Sequence, residues 1–345
     1  MFNHLSLAST TSKTIMQHST LKKLSEVLGI SISTVSRALK DHPDISSATK
    51  ARVKELAKAM EYEPNAYAVQ LRTRQSNVLG IIVPGIQSFF YDSFIAAIEE
   101  EARSHGFSVL IMQSCNNAET EAANLQLMRK HMTQGVFMAL TFATADYSLF
   151  HKMEDLALPI VFADCVPAEE GFTKVAMADE QAARLAAEEL IQHKKKNVLA
   201  LFGHPQLSVT QKRVQAFHEV FKQKAPRTKL TVRYPYFVEN SKEALLDVMR
   251  DQKKPDAVFC MGDMNLVGVM KAIQELKLNI PDDIGVVAIS NGFIPKLFNP
   301  QITYVETSGS KLGKLAFAQM MKRLKHEPAD ENVCVPSVLV EGGSL

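Results

Sequence analysis

The sequence lacks the features that mark membrane, secreted and metal-binding proteins. No apolar run approaches the roughly 18 residues that cross a bilayer, and residues 1–16 contain no basic start followed by an apolar block. The cysteines are far apart, which excludes a CxxC zinc pattern and a dense disulfide framework; they are Cys115, Cys165, Cys260 and Cys334. We therefore expect a cytoplasmic protein with reduced thiols and no membrane contact.

Sequence motifs of catalysis are also missing. The chain contains no GxGxxG, P-loop, HExxH or GxSxG motif, and its ten histidines show no metal-ligand spacing. We expect no enzymatic activity, no cofactor and no metal. Two alternatives stay open. An oxidoreductase would have to bind and turn over a dinucleotide, and a transport protein would need a secretion signal and a non-functional N-terminal region.

Length and charge indicate a small basic domain joined to a large acidic one. The 345 residues suffice for one small and one two-lobed domain, and 46% hydrophobic with 22% charged residues is typical of a globular protein. Residues 13–76 hold eleven Lys or Arg and six Asp or Glu, whereas residues 77–345 hold 28 and 31. This asymmetry indicates that the N-terminal part meets a polyanion.

Residues 20–60 have the pattern of three short helices. The first has an N-cap at Ser19 or Thr20 and ends at Gly29. Its apolar face consists of Leu21, Leu24, Val27 and Leu28. A second helix, capped by Ser31 or Ser33, carries residues 34–39. Two short helices around a tight glycine-containing turn are typical of a helix-turn-helix.

A third helix completes this small domain. It begins at Ser46 or Ser47, and its apolar side chains close the core: Val53, Leu56, Ala57 and Met60. A generic three-helix bundle would explain the pattern equally well.

From Val78 onwards, apolar strands alternate with amphipathic helices in two series. The first series predicts strands at 78–83, 108–113, 135–141 and 159–163, with helices at 94–105, 119–131 and 147–156. The second predicts strands at 197–202, 257–261 and 285–289, with helices that begin near Asp179, Gln211, Ser241 and Asn265. Two such series predict two doubly wound parallel lobes with a ligand site at the carboxyl ends of the strands.

Three segments carry a family resemblance. Residues 29–39 read GISISTVSRAL, residues 62–66 read YEPNA and residues 71–73 read LRT. They resemble the LacI/GalR family of bacterial regulators, and the resemblance spans nearly all of residues 19–340. It implies an α/β protein with an N-terminal three-helix helix-turn-helix domain, a hinge helix, and a two-lobed periplasmic-binding-protein-like body of doubly wound parallel sheets.

The resemblance sets the expected domains. Residues 1–17, in which Met16 is an alternative start, form a disordered tail. Residues 18–62 are the DNA-binding domain, residues 63–76 the hinge helix and linker, and residues 77–345 the domain for effector binding and dimerisation.

In this family the second helix lies in the major groove of DNA. The resemblance places Ile32, Ser33 and Arg37 at positions that face base edges, where Arg37 can contact guanine O6 and N7 together. A phosphate contact by Arg37 is the alternative. The positions expected to bind phosphate or cap the helix are Ser31, Thr34 and Ser36.

The hinge helix of the family folds when two copies pack on DNA. Asn65 is then the N-cap, and Leu71 matches the leucine that wedges into the minor groove. Val69 stands where the family usually has Arg, so Arg72 or Arg74 would replace that contact. The expected hinge contacts are Asn65, Ala68, Leu71 and Arg72. A solvated linker with an incidental leucine is the alternative.

The resemblance also implies an effector site in the cleft between the lobes. Its expected residues are an aromatic loop of Phe89, Phe90 and Tyr91, the carboxylates Asp164 and Asp179, Arg213, which would bind effector hydroxyls, and Phe259 with Asp263. The alternative for each aromatic residue is a place in the core. The family's usual Asn-Asp pair reads Gly262-Asp263, and its later Asp reads Ser290, which is a weaker acceptor for sugar diols.

The expected function follows from these assignments. A homodimer binds a pseudo-palindromic operator in double-stranded DNA as a transcription regulator, most simply a repressor. A small-molecule effector, a sugar or sugar derivative, changes the angle between the lobes and the spacing of the linkers, and thereby changes DNA affinity.

Overall fold

The structure is a computed structural model that describes residues 20–62, 76–250 and 253–345. It divides between Ser76 and Asn77 into two units. Within the described ranges, no helix has the length and apolar character needed to cross a membrane.

The described part of the first unit, residues 20–62, contains three helices: α1 (Leu21–Leu28), α2 (Ile32–Leu39) and α3 (Ser47–Ala59). Their N-caps are Thr20, Ser31 and Ser46, whose side-chain oxygens accept hydrogen bonds from backbone N–H groups in the first turn. Gly29 ends α1 with a φ of 68°, a left-handed conformation that glycine adopts without steric cost. The predicted caps and the predicted end of α1 are confirmed.

The core of this unit corrects one prediction. The fully buried side chains are Leu24, Val35, Ala38 and Val53. Val27, predicted on the apolar face of α1, is 61% exposed, whereas Ser25 is buried and donates its hydroxyl to the Lys22 carbonyl at 2.7 Å. The reason is helical geometry. Leu24 and Ser25 mark the two edges of the buried face, about 100° apart around the helix. Val27 lies outside this face, about 60° beyond the edge at Leu24.

The second unit has two lobes, each built on a six-stranded sheet. The first sheet contains β1 (Val78–Val83), β2 (Ser108–Gln113), β3 (Gly135–Met138), β4 (Ile160–Ala163), β5 (Thr173–Met177) and β11 (Asn332–Val335), in the order β11-β5-β4-β3-β1-β2. The second contains β6 (Asn197–Leu201), β7 (Lys229–Arg233), β8 (Ala257–Cys260), β9 (Gly285–Ser290), β10 (Thr303–Glu306) and β12 (Val338–Val340), in the order β12-β10-β9-β8-β6-β7. All pairs are parallel except β10 with β12.

Helices cover the faces of both sheets. Those of the first lobe are α4 (Phe89–Ser104), α5 (Ala118–Lys130), α6 (Ser148–Asp155) and α11 (Gly309–Leu324); those of the second are α7 (Asp179–Gln192), α8 (Ser208–Lys224), α9 (Val238–Val248) and α10 (Asp263–Leu276). A 3-10 helix follows at Ile294–Leu297. The continuous apolar strands are explained by this covering. In β1, Leu79 and Ile81 face one core, and Ile82 faces the core on the other side.

Five helices of the second unit begin earlier than predicted. The segment 89–91, predicted as a loop, is the first turn of α4, and Asp263 is the first residue of α10. The sequence also failed to predict β5, β7, β10 to β12 and α11. The chain crosses between the lobes after β5, after β10 and after β11, so α11 and β11 belong to the first lobe although they follow β6 to β10 of the second lobe in sequence.

Helix α11 packs closely against α4. A Cβ at Gly309 would lie 2.3 Å from the carbonyl oxygen of Phe90, and one at Gly313 would lie 2.7 Å from that of Phe94. Only glycine permits this approach. The packing fixes the position of α4, whose first turn carries Phe89, Phe90 and Tyr91.

Candidate functional site

Helix α2 presents a polar face to solvent. Its buried residues are Val35 and Ala38, and on the opposite side Ile32 is 47% exposed. Ser33 and Arg37 are exposed as well. At about 100° per residue these three residues lie within roughly 140° of the helix circumference. Side chains of this reach and chemistry can contact the base edges of a major groove together.

The hydroxyl groups at the start of α2 have local partners. Ser31 Oγ accepts from the Thr34 backbone N–H at 3.1 Å and lies 2.7 Å from Ser33 Oγ and 2.8 Å from Thr34 Oγ1. Ser31 is therefore a cap, whereas Ser36 is partly exposed beside Arg37. Arg37 makes no ion pair with the part of the chain that the structure describes. Its guanidinium is thus not neutralised there.

The predicted hinge residues Asn65, Ala68, Leu71 and Arg72 lie outside the described residues.

A cavity of about 390 Å³ lies between the two lobes at the carboxyl ends of the strands. The predicted residues that line it are Phe89, Phe90, Tyr91, Asp164, Arg213, Asp263 and Ser290. They reach it from the first turn of α4, from the ends of β4 and β9, and from α8 and α10. This is the place where doubly wound sheets bind ligands.

Two predicted residues do not line the cavity. Phe259 is fully buried among Phe202 and Phe217, with its ring centroid 4.5 Å from that of Phe217, because its side chain points from β8 into the core below α8. It is a core residue. Asp179 is 3% exposed and lies behind Arg213. Asp179 therefore affects the cavity only by holding and neutralising the Arg213 side chain.

Arg213 is held by two hydrogen bonds and an ion pair. Its Nε lies 2.9 Å and its Nη2 2.7 Å from Asp179 Oδ1, and Nη1 donates to the Met261 carbonyl at 3.0 Å. The Arg213 side chain is only 8% exposed. The pair is therefore a buried salt bridge in which the carboxylate neutralises the guanidinium.

Asp164 faces the cavity beside Tyr91 and Cys165. Tyr91 Oη donates to Asp164 Oδ2 at 2.7 Å. Burial, and secondarily the charge of Asp179, raises the pKa of Asp164 to about 6. Burial also raises the pKa values of Tyr91 and Cys165. At neutral pH the site holds a carboxylate in a poorly solvated position.

Asp263 forms a second acidic centre on the other lobe. It accepts a short hydrogen bond from Ser290 Oγ and another from the Asn291 backbone N–H at 3.4 Å. Burial raises the pKa of Asp263. Ser290, which stands where the family usually has Asp, therefore donates to this carboxylate.

Contacts across the cavity join the lobes, and apart from Phe89 they are made by residues that were not predicted as site residues. Asn116 Nδ2 donates to Tyr236 Oη at 2.5 Å, and Asn291 Nδ2 donates to the Phe89 carbonyl at 2.7 Å. The rings of Phe142 and His204 stack at 3.9 Å. All of these residues except Phe89 lie one to four residues after the end of a strand, which is the signal that could have found them.

The same region has no metal-binding character. Among the residues with described positions, no group of three or more His, Cys, Asp and Glu side chains could hold a metal ion.

Comparison with known proteins agrees with this architecture. Residues 20–65 match the model of bacterial regulatory proteins of the lacI family, and residues 187–345 match that of the periplasmic binding protein-like domain. The HTH-type transcriptional repressor PurR of Vibrio vulnificus (strain CMCP6) is 24% identical over 321 residues, 91% of this chain and 94% of that protein. Catabolite control protein A of Priestia megaterium is 25% identical over 321 residues, 91% of this chain and 95% of that protein.

A solved structure shares the fold. The lac repressor dimer bound to operator and the anti-inducer ONPF superposes with a TM-score of 0.85 at 20% identity, over 95% of this chain and 99% of that one. Together with the exposed face of α2, the family matches lead to one conclusion: the chain carries the DNA-binding domain of the lacI family of bacterial regulatory proteins followed by a periplasmic binding protein-like domain, the domains of a DNA-binding regulator of transcription.

Proposed function

We propose that the protein is a repressor that binds a pseudo-palindromic operator as a homodimer in the cytoplasm, and that a small molecule in the cavity between the lobes controls its DNA affinity. The observation that carries this proposal is the exposed face of α2. Ile32, Ser33 and Arg37 are presented together there, and the arginine has no ion-pair partner among the described residues.

Each of the three side chains has a distinct role in reading DNA. The Arg37 guanidinium donates to guanine O6 and N7, Ser33 bonds to a base edge, and Ile32 contacts a thymine methyl group. The hydroxyls at the start of the helix contact phosphate and set the register. Asn65, Ala68, Leu71 and Arg72 add minor-groove contacts, an assignment that rests on the sequence alone.

The dimer follows from the symmetry of the DNA site. A helix-turn-helix reads only a few base pairs, so two helix-turn-helix domains on two half-sites are needed for specific binding. A two-fold protein requires a two-fold operator.

The cavity supplies the control. Residues of both lobes line it, among them Tyr91 and Asp164 from the first and Arg213 and Asp263 from the second. A ligand that binds one angle between the lobes better than another shifts the population toward that angle. DNA affinity changes with it, and by reciprocity operator DNA changes ligand affinity. Carboxylates beside aromatic rings suit a sugar or sugar derivative.

A binding selection tests the proposal. The full chain is incubated with random duplexes, and the bound DNA is recovered and sequenced over several rounds. We expect an enriched site with two inverted half-sites, each with a G·C pair. No enrichment, or a single asymmetric site, would contradict binding of an operator by a dimer.

A further inference from the structure

We infer that the cavity between the lobes takes a ligand without negative charge, an uncharged or cationic ring compound that donates hydrogen bonds, and that it rejects phosphorylated and carboxylated ligands. This inference rests on the proposed function, because it treats the cavity as the effector site.

The basic side chains that line the cavity are already engaged by other groups of the protein. Arg213 is neutralised by Asp179, which accepts a hydrogen bond from Nε and forms an ion pair with Nη2, and Nη1 donates to the Met261 carbonyl. The other basic residue of the lining is His204. Its Nδ1 accepts from the Gln206 backbone N–H at 3.3 Å, so that nitrogen does not donate to a ligand.

Three polar donors of the lining are committed to acceptors of the protein. Tyr91 donates to Asp164, Ser290 donates to Asp263, and Asn291 donates to the Phe89 carbonyl. An anionic ligand needs several donors for its oxygens. It would find these groups already bonded.

One carboxylate acceptor, in contrast, remains open. Asp164 Oδ2 accepts from Tyr91, whereas Oδ1 accepts no hydrogen bond from any residue in the described ranges. A ligand hydroxyl, amide or amine can donate to it. A phosphate placed there would meet two acidic centres, Asp164 and Asp263, in a site of reduced polarity where charge repulsion is strong.

The remaining wall is apolar and aromatic. Phe89, Phe90, Phe237, Met261 and Met264 line the cavity, and Phe237 is 60% exposed. Aromatic faces stack on flat or apolar ring faces and attract cations. The ligand class is therefore defined by a ring face, donor groups and no negative charge, as in an unphosphorylated sugar or a nucleoside.

The charge of the cavity can be measured without knowing the ligand. Met264 lines the cavity and is 36% exposed, so M264C places a reactive thiol there. The exposed Cys115 and Cys334 are first replaced by serine. A cationic trimethylammonium and an anionic sulfonate methanethiosulfonate are then compared. Each forms a disulfide with the thiol and releases methanesulfinate.

The ratio of the two rates reports the electrostatic potential, because any change in thiol pKa affects both reagents alike. The matched control is M132C in the same background, since Met132 is 39% exposed but lies near Arg129 and Lys130. With both rates scaled to those of a free thiol, we expect about tenfold faster reaction of the cationic reagent at position 264. A ratio at position 264 no greater than at position 132 would overturn the inference.

A second measurement uses matched ligands with the full chain. Thermal unfolding is recorded with adenosine and its 5′-monophosphate, and with glucose, glucose 6-phosphate and gluconate. We expect any stabilisation to come from the uncharged member. Stabilisation by a phosphorylated member at the same or lower concentration overturns the inference, and if no compound binds, the thiol ratio decides. Operator binding by the same preparation tests the proposed function separately.

Discussion

Replacing Asp179 by alanine would leave Arg213 as an unpaired charge inside the second lobe. The two side chains are 2% and 8% exposed and lie 2.7 Å apart, so the guanidinium has little access to water. Removing one partner of a buried pair costs about 3–5 kcal/mol, most of which is the penalty of the uncompensated charge. At about 2–4 °C per kcal/mol for a domain of this size, the expected loss of melting temperature is roughly 6–20 °C.

Differential scanning calorimetry of the full chain at pH 7.5 measures this loss. The matched control is Asp247→Ala, which breaks the exposed pair with Arg250 and should change stability by less than about 1 kcal/mol. The double variant Asp179→Ala/Arg213→Met should recover much of the loss, because methionine fills the space without a charge. A cost for Asp179→Ala as small as that of the control would refute the buried-charge argument.

Three further predictions concern the helix contact, the acidic centre and the hinge. Gly313→Ala should cost about 1–3 kcal/mol, because its Cβ would lie 2.7 Å from the Phe94 carbonyl, whereas Gly262→Ala, with no neighbouring atom within 4 Å, should change the melting temperature little; equal effects would contradict the close packing. The pKa of Asp164 is raised from 3.8 to about 6, so its contribution favours folding at low pH and is lost as pH rises through that window. The melting temperature of Asp164→Asn relative to the unchanged protein should therefore rise between pH 4.5 and 7, and a constant difference would contradict the shift. Leu71→Ala should weaken operator binding in fluorescence anisotropy while leaving effector binding nearly unchanged; unaltered operator affinity would contradict the hinge assignment.

Local signals in the sequence predicted the three helices of the first unit well. The serine and threonine caps and Gly29 act within one helical turn, so they can be read without tertiary information. The apolar strands of the body were predictable for a similar reason, since helices cover both faces of each sheet. The exposed Val27 shows the limit of this approach, because an apolar residue near the edge of a helix face can lie on either side of it.

Long-range features escaped prediction. Strand β11 pairs with β5 across more than 150 residues of sequence, and no local pattern encodes that pairing. Strand β7 lies at a sheet edge and is half-exposed, which removes the continuous apolar signal of a covered strand.

The candidate site was predictable in part. Phe259 was misplaced because side chains alternate between the two faces of β8, and the residues that reach the cavity come after the strand, at Met261 and Asp263. The lining residue Tyr236 likewise comes soon after a strand, β7, that was not predicted. The hydrogen-bond and ion-pair partners of the side chains that line the cavity could not be predicted from the sequence and became known only from the structure.

The affinity of Arg37→Ala for the selected operator and for random DNA tests the central claim most directly. Fluorescence anisotropy is measured on the operator, on duplexes with each guanine replaced, and on random duplexes, with the exposed Arg52→Ala of α3 as the matched loss of one charge. Base reading by α2 predicts that Arg37→Ala loses about 1–3 kcal/mol on the operator and no longer discriminates one guanine in each half-site, while random DNA loses far less. An equal loss on operator and random DNA, as expected for Arg52→Ala, would contradict direct reading of the operator by this helix.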